Sequence, residues 1–339
     1  MIQEVILESG YTEVSDTAVM ALTPLVSVMM LTYKHGPFLS DAIEGVIAQK
    51  SDFPIELIIG EDCSPDNTRE IALAYQQRYP QLIRVMYSDQ NVGMHKNCWK
   101  TLNACRGKFI AFCEGDDYWI DPHKLQKQVE AFCDDSTVGV VTDNLRRIGD
   151  QIIPNDVAVE IDHLGFVKII GLLHSNTIKT ATVMYKIEVV NKIFSEELLK
   201  FDWPFGDYTM HLTALTMGKV KFLNDVTAVY RLSLGSATRT STMKSLHIAR
   251  SALQCSLYFS KINMIDPKII QSIEMRNLAG IYGLVYATCD RKEFIMISQR
   301  LKEIGFKHNN LVRHLIRRII VGSVLQTVYI RFKNTLDLL

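Results

Sequence analysis

Mostly apolar runs rich in β-forming residues recur along the first part of the chain. They are "LVSVMMLT" (25–32), "IELIIG" (55–60), "LIRVMY" (82–87), "KFIAFC" (108–113) and "TVGVVTD" (137–143). Between them lie longer stretches with helical patterning, at 37–49, "DNTREIALAYQQRYP" (66–80), "GMHKNCWKTLNAC" (93–105) and "PHKLQKQVEAFCDD" (122–135). Strands that are apolar throughout, alternating with such helices, predict βαβ crossovers. The fold class is therefore α/β, with a mostly parallel sheet covered by helices on both faces. Sheets of this kind bind ligands beyond the carboxyl ends of their strands. Thr32-Tyr33, Glu61-Asp62 and Asp116-Asp117 all fall there, although they are far apart in sequence.

Past about residue 145 the alternation weakens. "ATVMYK" (181–186) and "VTAVYRL" (226–232) read as strands. "GDYTMHLTALTMG" (206–218) reads as a helix with Met210, Leu212 and Leu215 on apolar faces and Gly218 as its C-cap. From about 243 onward the pattern is helical. The expected organisation is an N-terminal extension over 1–24, an α/β domain over 25–232 and a helical C-terminal region over 233–339.

Composition narrows the function classes. Lys plus Arg balances Asp plus Glu at 37 each, so no global cationic field favours nucleic acid as a partner. The seven cysteines are odd in number and form no Cys-x-x-Cys pair. A disulfide framework or zinc ribbon is not expected, and a reducing cytoplasm is. The N-terminus has no basic segment before an apolar stretch, so no secretory signal is expected. No uninterrupted apolar run reaches the roughly 18–20 residues of a membrane-spanning helix.

Four ordered motifs carry a family resemblance. "VSVMMLTYKHGPFLSDAIEGVIAQ" is followed by "IELIIGEDCSPDNT", then "NVGMHKN", then "GKFIAFCEGDDYW". This order resembles family 2 glycosyltransferases with the GT-A fold, a Rossmann-like sheet, over roughly residues 25–232. That family shows a strand ending in Thr-Tyr-Asn, then Val-Asp-Asp-Gly-Ser-x-Asp-x-Thr, then Asn-x-Gly, then an acidic pair after the fourth strand. Here Lys34 stands where the family often has Asn, Glu61 replaces an aspartate and Cys63 a glycine. Gly206-Asp207 stands where the family commonly has Glu-Asp at a helix start. The Gln-x-x-Arg-Trp motif of processive synthases is absent from the sequence, which argues for addition of one sugar at a time.

The resemblance implies a nucleotide-sugar donor whose diphosphate needs a divalent cation. Mg²⁺ and Mn²⁺ are hard ions, held by one or two carboxylates together with phosphates and water. Asp117 is implied as the metal ligand, and Asp116 as a contact to the ribose or the metal shell. Asp62 is expected to accept a hydrogen bond from the nucleobase, a uracil-type N–H suggesting UDP, with Thr32 and Tyr33 shaping the base pocket. Asp66 is read as a helix cap instead. Asn91, Gly93 and Lys96 near a helix start suit a diphosphate; a simple Asn-x-Gly turn is the other reading. Asp207 is the candidate base that deprotonates the acceptor in an inverting transfer, or else a helix-start charge favoured by the dipole. Trp203 is a candidate sugar-stacking platform. His211 lies one turn beyond Asp207, and Arg231 and Arg239 are candidates to reach the diphosphate.

Two alternatives stay open at this level: a sugar nucleotidyltransferase, or an inactive glycosyltransferase-like scaffold that binds glycans. The first usually has a Gly-rich, Arg- and Lys-containing signature after the first strand, which "LTYKHGPFLS" lacks. The last segment, "NNLVRHLIRRIIVGSVLQTVYIRFKNTLDLL" (309–339), pairs an apolar helical face with basic borders. Such a helix suits the surface of an anionic membrane, with a glycan or lipid-linked acceptor at the inner face. Packing on the protein's own core or in a homo-oligomer contact is the other expectation.

Overall fold

A computed structural model describes residues 2–7, 10–132, 134–155, 157–193, 198, 200, 201, 203, 204, 206–232, 242–288 and 291–306. The chain divides into two compact units, Met1–Leu234 and Gly235–Leu339. The basic tail at 309–339 and Arg239 lie outside the described residues.

The first unit begins with β1 (Ile2–Leu7), β2 (Tyr11–Asp16) and the short helix α1 (Thr17–Ala21). The alternating part follows as β3 (Val26–Thr32), α2 (Leu39–Ile47), β4 (Ile55–Glu61), α3 (Thr68–Arg78), β5 (Ile83–Ser88), α4 (Met94–Asn103) and β6 (Phe109–Phe112). Then come β7 (Tyr118–Trp119), α5 (Lys124–Glu130), β8 (Thr137–Ile148), β9 (Gln151–Pro154), α6 (Ile169–His174), β10 (Val183–Lys186), α7 (Ile187–Ile193), α8 (Asp207–Met217) and β11 (Lys219–Arg231). All the strands form one sheet in the order β1-β2-β5-β4-β3-β6-β10-β8-β11-β7, with β9 paired to β8.

The centre is parallel: β3 pairs with β4 and β6, and β4 with β5. These strands are mostly apolar because both of their faces are covered. Val28, Met30, Leu57, Ile59, Val85 and Ala111 are fully or almost fully buried and pack with Leu39, Ile43 and Val46 of α2. β10 runs antiparallel to both β6 and β8, and β11 is parallel to β8.

The expected N-terminal extension takes part in the sheet: β1 and β2 pair antiparallel, and β2 pairs with β5 from Tyr11↔Ser88 to Val14↔Val85. This pairing satisfies backbone groups that would otherwise form an open edge at β5. A buried polar cluster ties β2 in. Glu56 accepts from Ser27 Oγ at 2.6 Å and from Arg84 Nη1 at 3.1 Å, and Arg84 Nε reaches Glu13 of β2 at 2.8 Å. Arg106 joins the same carboxylate and donates to the main-chain oxygens of Val19 and Met20, ending α1. Gly218 is the C-cap of α8, as expected, and its backbone there is extended (φ 178°). Space explains the glycine, since a Cβ would stand 2.5 Å from the Ser136 carbonyl oxygen.

The second unit is helical: α9 (Thr242–Ile262), α10 (Pro267–Thr288) and α11 (Arg291–Glu303). Leu246, Ile281, Tyr282, Val285, Ile297 and Leu301 pack together as its core. Arg300 bridges Glu274 of α10 at 2.6 Å. Among the described residues no helix is long and apolar enough to cross a membrane.

Candidate functional site

The carboxyl ends of β3, β4 and β6 converge as the sequence pattern predicts. The Asp62 N–H donates to Thr32 O at 3.2 Å, and the Gly115 N–H to Leu31 O at 3.0 Å. Beyond β6 the chain turns sharply, with the Asp117 N–H bonded to Glu114 O at 3.0 Å. This turn crowds three carboxyl groups: Glu114, Asp116 and Asp117. Gly115 is required where it sits, since a Cβ there would lie 2.8 Å from both Thr32 Oγ1 and His35 Nδ1.

Asp117 is buried, at 4% exposure. Its Oδ1 accepts the Arg231 main-chain N–H at 2.9 Å. Burial first, then the charges of Asp116 and Glu114, push its carboxyl well above the usual carboxylate range. Burial and the Asp116 charge likewise push Glu114 up to about 8, with Asp207 adding to the effect. Asp116 is more open, and its Oδ2 stands 3.9 Å from His35 Nε2. Burial lowers the His35 pKa against the opposing pull of Asp116 and Asp66.

Arg231 does not reach outward. It is buried at 6% exposure, and its Nη1 donates to Asp116 O at 2.9 Å. Nη2 pairs with Asp41, and the guanidinium lies 4.2 Å from the Tyr118 ring centroid. Through these bonds Arg231 braces the acidic turn from within the protein.

Asp62 organises the neighbouring loop. Its Oδ1 accepts the Val92 N–H at 2.8 Å and its Oδ2 the Gly93 N–H at 3.0 Å. Asn91 Nδ2 donates to Asp62 O at 3.0 Å. Burial raises the Asp62 carboxyl, with these two amide bonds opposing. Gly93 takes a left-handed φ of 86° as α4 begins, and Lys96 is exposed on the first turn of that helix. Tyr33 is 39% exposed, with Lys34 Nζ 5.1 Å from its ring centroid. Glu61 is buried and turned the other way, bonded to the Ser64 N–H at 2.5 Å and to Arg69 Nε at 2.7 Å. Asp66 accepts from Thr68 N at 3.3 Å and Gly36 N at 3.1 Å, so it caps α3 and also ties down the loop after β3.

Asp207 opens α8. Its Oδ1 accepts the Tyr208 N–H at 2.7 Å and its Oδ2 the Asn176 Nδ2–H at 3.1 Å. It lies close enough for its charge to act on Glu114. Trp203 is not an open platform: it is 4% exposed and stacked on Phe201 at 4.4 Å between centroids. His211 faces inward. It is fully buried, its Nδ1 is bonded to Tyr185 OH at 2.9 Å, and burial lowers it to about 4. A side chain so enclosed does not meet an acceptor.

The residues present suit a divalent cation supported by a diphosphate. Among the described residues no cluster of three or more His, Cys, Asp or Glu forms a protein-only cage. Hard cations that keep phosphate and water ligands need only one or two carboxylates. Three carboxyls within four residues repel one another, and a cation relieves that repulsion. Thr32 Oγ1, His35 Nδ1 and Glu114 Oε2 are buried there without a hydrogen-bond partner in the described structure. Such orphaned groups mark a place for a polar ligand.

Sequence reading passed over Glu114, His35 and Asn176. Glu114 carried a signal, since it stands two residues after β6 and two before Asp116. Asn176 carried none, because its partner is 31 residues away.

The family description "Glycosyl transferase family 2" matches residues 27–156. A protein of Nostoc sp. described as an uncharacterized glycosyltransferase is 31% identical over 238 residues, covering 65% of this chain and 70% of the relative. An uncharacterized protein of Mycobacterium tuberculosis is 32% identical over 206 residues; the match covers 61% of this chain and only 58% of that relative. A Bacillus subtilis glycosyltransferase named for teichuronic acid biosynthesis is 36% identical over 107 residues, 32% of this chain and 41% of its own length. Among solved structures, S. aureus TarS 1–349 superposes with a TM-score of 0.54 at 18% identity, covering 88% of this chain and 92% of TarS 1–349. It has also been solved with UDP-GlcNAc. The mannosyltransferase PcManGT of Pyrobaculum calidifontis, in complex with GDP-Man and Mn²⁺, gives a TM-score of 0.54 at 14% identity, covering 90% of this chain and 87% of its own. Motif order, fold and relatives agree: the chain belongs to glycosyl transferase family 2 and has the GT-A fold.

Proposed function

We propose that this protein transfers a single sugar from a nucleotide-sugar, most simply a UDP-sugar, to a glycan or lipid-linked acceptor with inversion at the anomeric carbon. The observation that carries this reading is the acidic turn Glu114–Asp117 with polar atoms of Thr32, His35 and Glu114 buried beside it without partners in the described structure. The turn Glu114–Asp117 follows β6, and Asp207 begins α8 near enough to act on Glu114. The turn suits the donor diphosphate and Asp207 the acceptor hydroxyl.

In this reading Asp117 is the residue that holds Mg²⁺ or Mn²⁺, with Asp116 beside it. When bound, the cation neutralises charge on the departing nucleoside diphosphate. Arg231 keeps Asp117 and the Asp116 backbone in position through the bonds described above. Asp62 shapes the nucleotide pocket by holding the 91–93 loop, and each of its oxygens has a further lone pair for a base N–H. Thr32 and Tyr33 form the floor and the open edge of that pocket. Lys96 and the N-terminal amides of α4 favour the diphosphate. Asp207 takes the proton of the acceptor hydroxyl as its oxygen attacks from the face opposite the leaving group. Asn176 and Tyr208 hold that carboxylate, and no Gln-x-x-Arg-Trp motif follows it to retain a growing polymer.

The relative named for teichuronic acid biosynthesis supports a role in bacterial surface polysaccharide. The reading places the enzyme on the cytoplasmic side, with the basic 309–339 segment against an anionic membrane surface. A direct test incubates the protein with Mn²⁺ and a panel of UDP- and GDP-sugars and follows nucleotide release. Release above the protein-free control, lost with EDTA and in Asp117→Ala, is the expected result. No release from any nucleotide-sugar would overturn the proposal.

A further inference from the structure

The Asp207 carboxylate is held at both oxygens by the protein itself. The Tyr208 N–H takes Oδ1 at 2.7 Å and Asn176 Nδ2 takes Oδ2 at 3.1 Å. Tyr208 is the next residue, so its bond comes with the helix start. Asn176 does not come that way: it sits between α6 and β10, and only the tertiary fold brings it to α8.

The direction of the Asn176 amide follows from electrostatics. Reversed, it would aim its carbonyl oxygen at a carboxylate, two acceptors with no proton between them. With Nδ2 towards Asp207, Asn176 Oδ1 is enclosed and has no partner in the described structure. An amide that leaves one of its own buried atoms unsatisfied is a poor choice for packing alone. Among the described residues, its side-chain hydrogen bond is the one to Asp207.

We infer that Asn176 is a positioning residue for the general base, an inference that rests on reading Asp207 as that base. One N–H from Asn176 and one from Tyr208 fix the carboxylate plane. The remaining lone pairs are left for the acceptor hydroxyl. Without Asn176 the carboxylate turns about its side-chain bonds, and the acceptor proton finds it in fewer productive orientations. Donor binding, which depends on the Glu114–Asp117 turn and the 91–93 loop, is untouched.

Other titratable groups also act on Asp207 or answer to it. Glu114 follows β6, Tyr185 lies on β10 and His211 sits one turn along α8, with Lys179 near His211. Substitutions at Asn176 leave all of them in place.

The titration itself needs no acceptor; the turnover control uses one found by screening. The Asp207 carboxyl is titrated by carbon-detected NMR in the full chain, its resonance identified by its loss in Asp207→Asn. Asn176→Asp keeps the shape but sets a second carboxylate against Asp207, and Asn176→Leu removes the donor. The expected result is a titration midpoint that moves upward in Asn176→Asp, because a like charge disfavours ionisation. A smaller rise is expected in Asn176→Leu. Affinity for UDP with Mn²⁺ stays as in the wild type. Midpoints in both variants that match the wild type would overturn the inference. Turnover in Asp207→Asn separates the two claims: if that variant stays active, the base reading fails whatever the titration shows. If it is inactive while the midpoints do not move, only the role of Asn176 fails.

Discussion

The main-chain N–H of Arg231 donates to Asp117 Oδ1 at 2.9 Å across 114 residues of sequence. The last residue of β11 is thus bonded to the acidic turn beyond β6. The guanidinium of the same residue bonds Asp116 O and Asp41 and lies against Tyr118 and Phe38. Removing it in Arg231→Met leaves the main-chain bond but frees a buried carbonyl oxygen. Asp41 is mostly exposed, so the ion pair itself adds little. The expected loss is about 1–3 kcal/mol of stability, read as a lower urea midpoint, together with weaker Mn²⁺-dependent nucleotide binding. An unchanged midpoint and unchanged binding would show that the brace has no effect.

Replacing Asp207 with asparagine keeps the side chain's shape and removes its basicity. Donor affinity is expected to persist while transfer slows by about 10²- to 10⁴-fold. Single-turnover kinetics with a saturating donor distinguish this from a binding defect. Near-normal turnover would move the base elsewhere, and buried His211 is not available to take its place.

His211 makes a prediction about stability and pH. Burial lowers its folded pKa from 6.5 to about 4. Between those values the unfolded chain binds the proton and the folded chain does not, so stability rises with pH through that window. The difference amounts to about 3 kcal/mol, fully present above pH 6.5 and lost by about pH 4. His211→Asn preserves an acceptor for Tyr185 OH and removes the titration. Urea unfolding from pH 4 to 7 is expected to show a flatter dependence in this variant than in the wild type. Parallel curves would refute the assignment.

Gly115→Ala puts a methyl group 2.8 Å from Thr32 Oγ1 and His35 Nδ1. Something must shift, and the shift lands on the floor of the proposed nucleotide pocket. A loss of nucleotide affinity of tenfold or more is expected, with a smaller effect on thermal stability. Wild-type affinity by calorimetry would contradict this view of the pocket.

The parallel core was readable because strands buried on both faces are mostly apolar, as in β3 and β4, where Ser27 and Glu56 are the exceptions that pair with each other. The ends of those strands then pointed to the site. The later strands were harder. β11 has alternating exposure and register shifts where it meets β8, and β7 is only two residues long. β1 and β2 add to the edge of the sheet at β5, and β2 is mostly half-buried, which leaves no strong apolar signature. Asp62, Asp116, Asp117 and Asp207 stand out in the sequence because they sit at strand ends or a helix start. What they bond to was not legible. Arg231 and Trp203 looked like ligand contacts by residue type, yet tertiary packing turned both inward.

The account stands most directly on Asp117. Titration calorimetry with UDP, in Mn²⁺ and in EDTA, measures whether this carboxylate links a cation to a nucleoside diphosphate. The account predicts binding in Mn²⁺ that falls by at least about tenfold with EDTA and by a similar factor in Asp117→Asn, while the circular dichroism spectrum of the variant is unchanged. Equal affinity with and without the metal, or in the variant and the wild type, would contradict it.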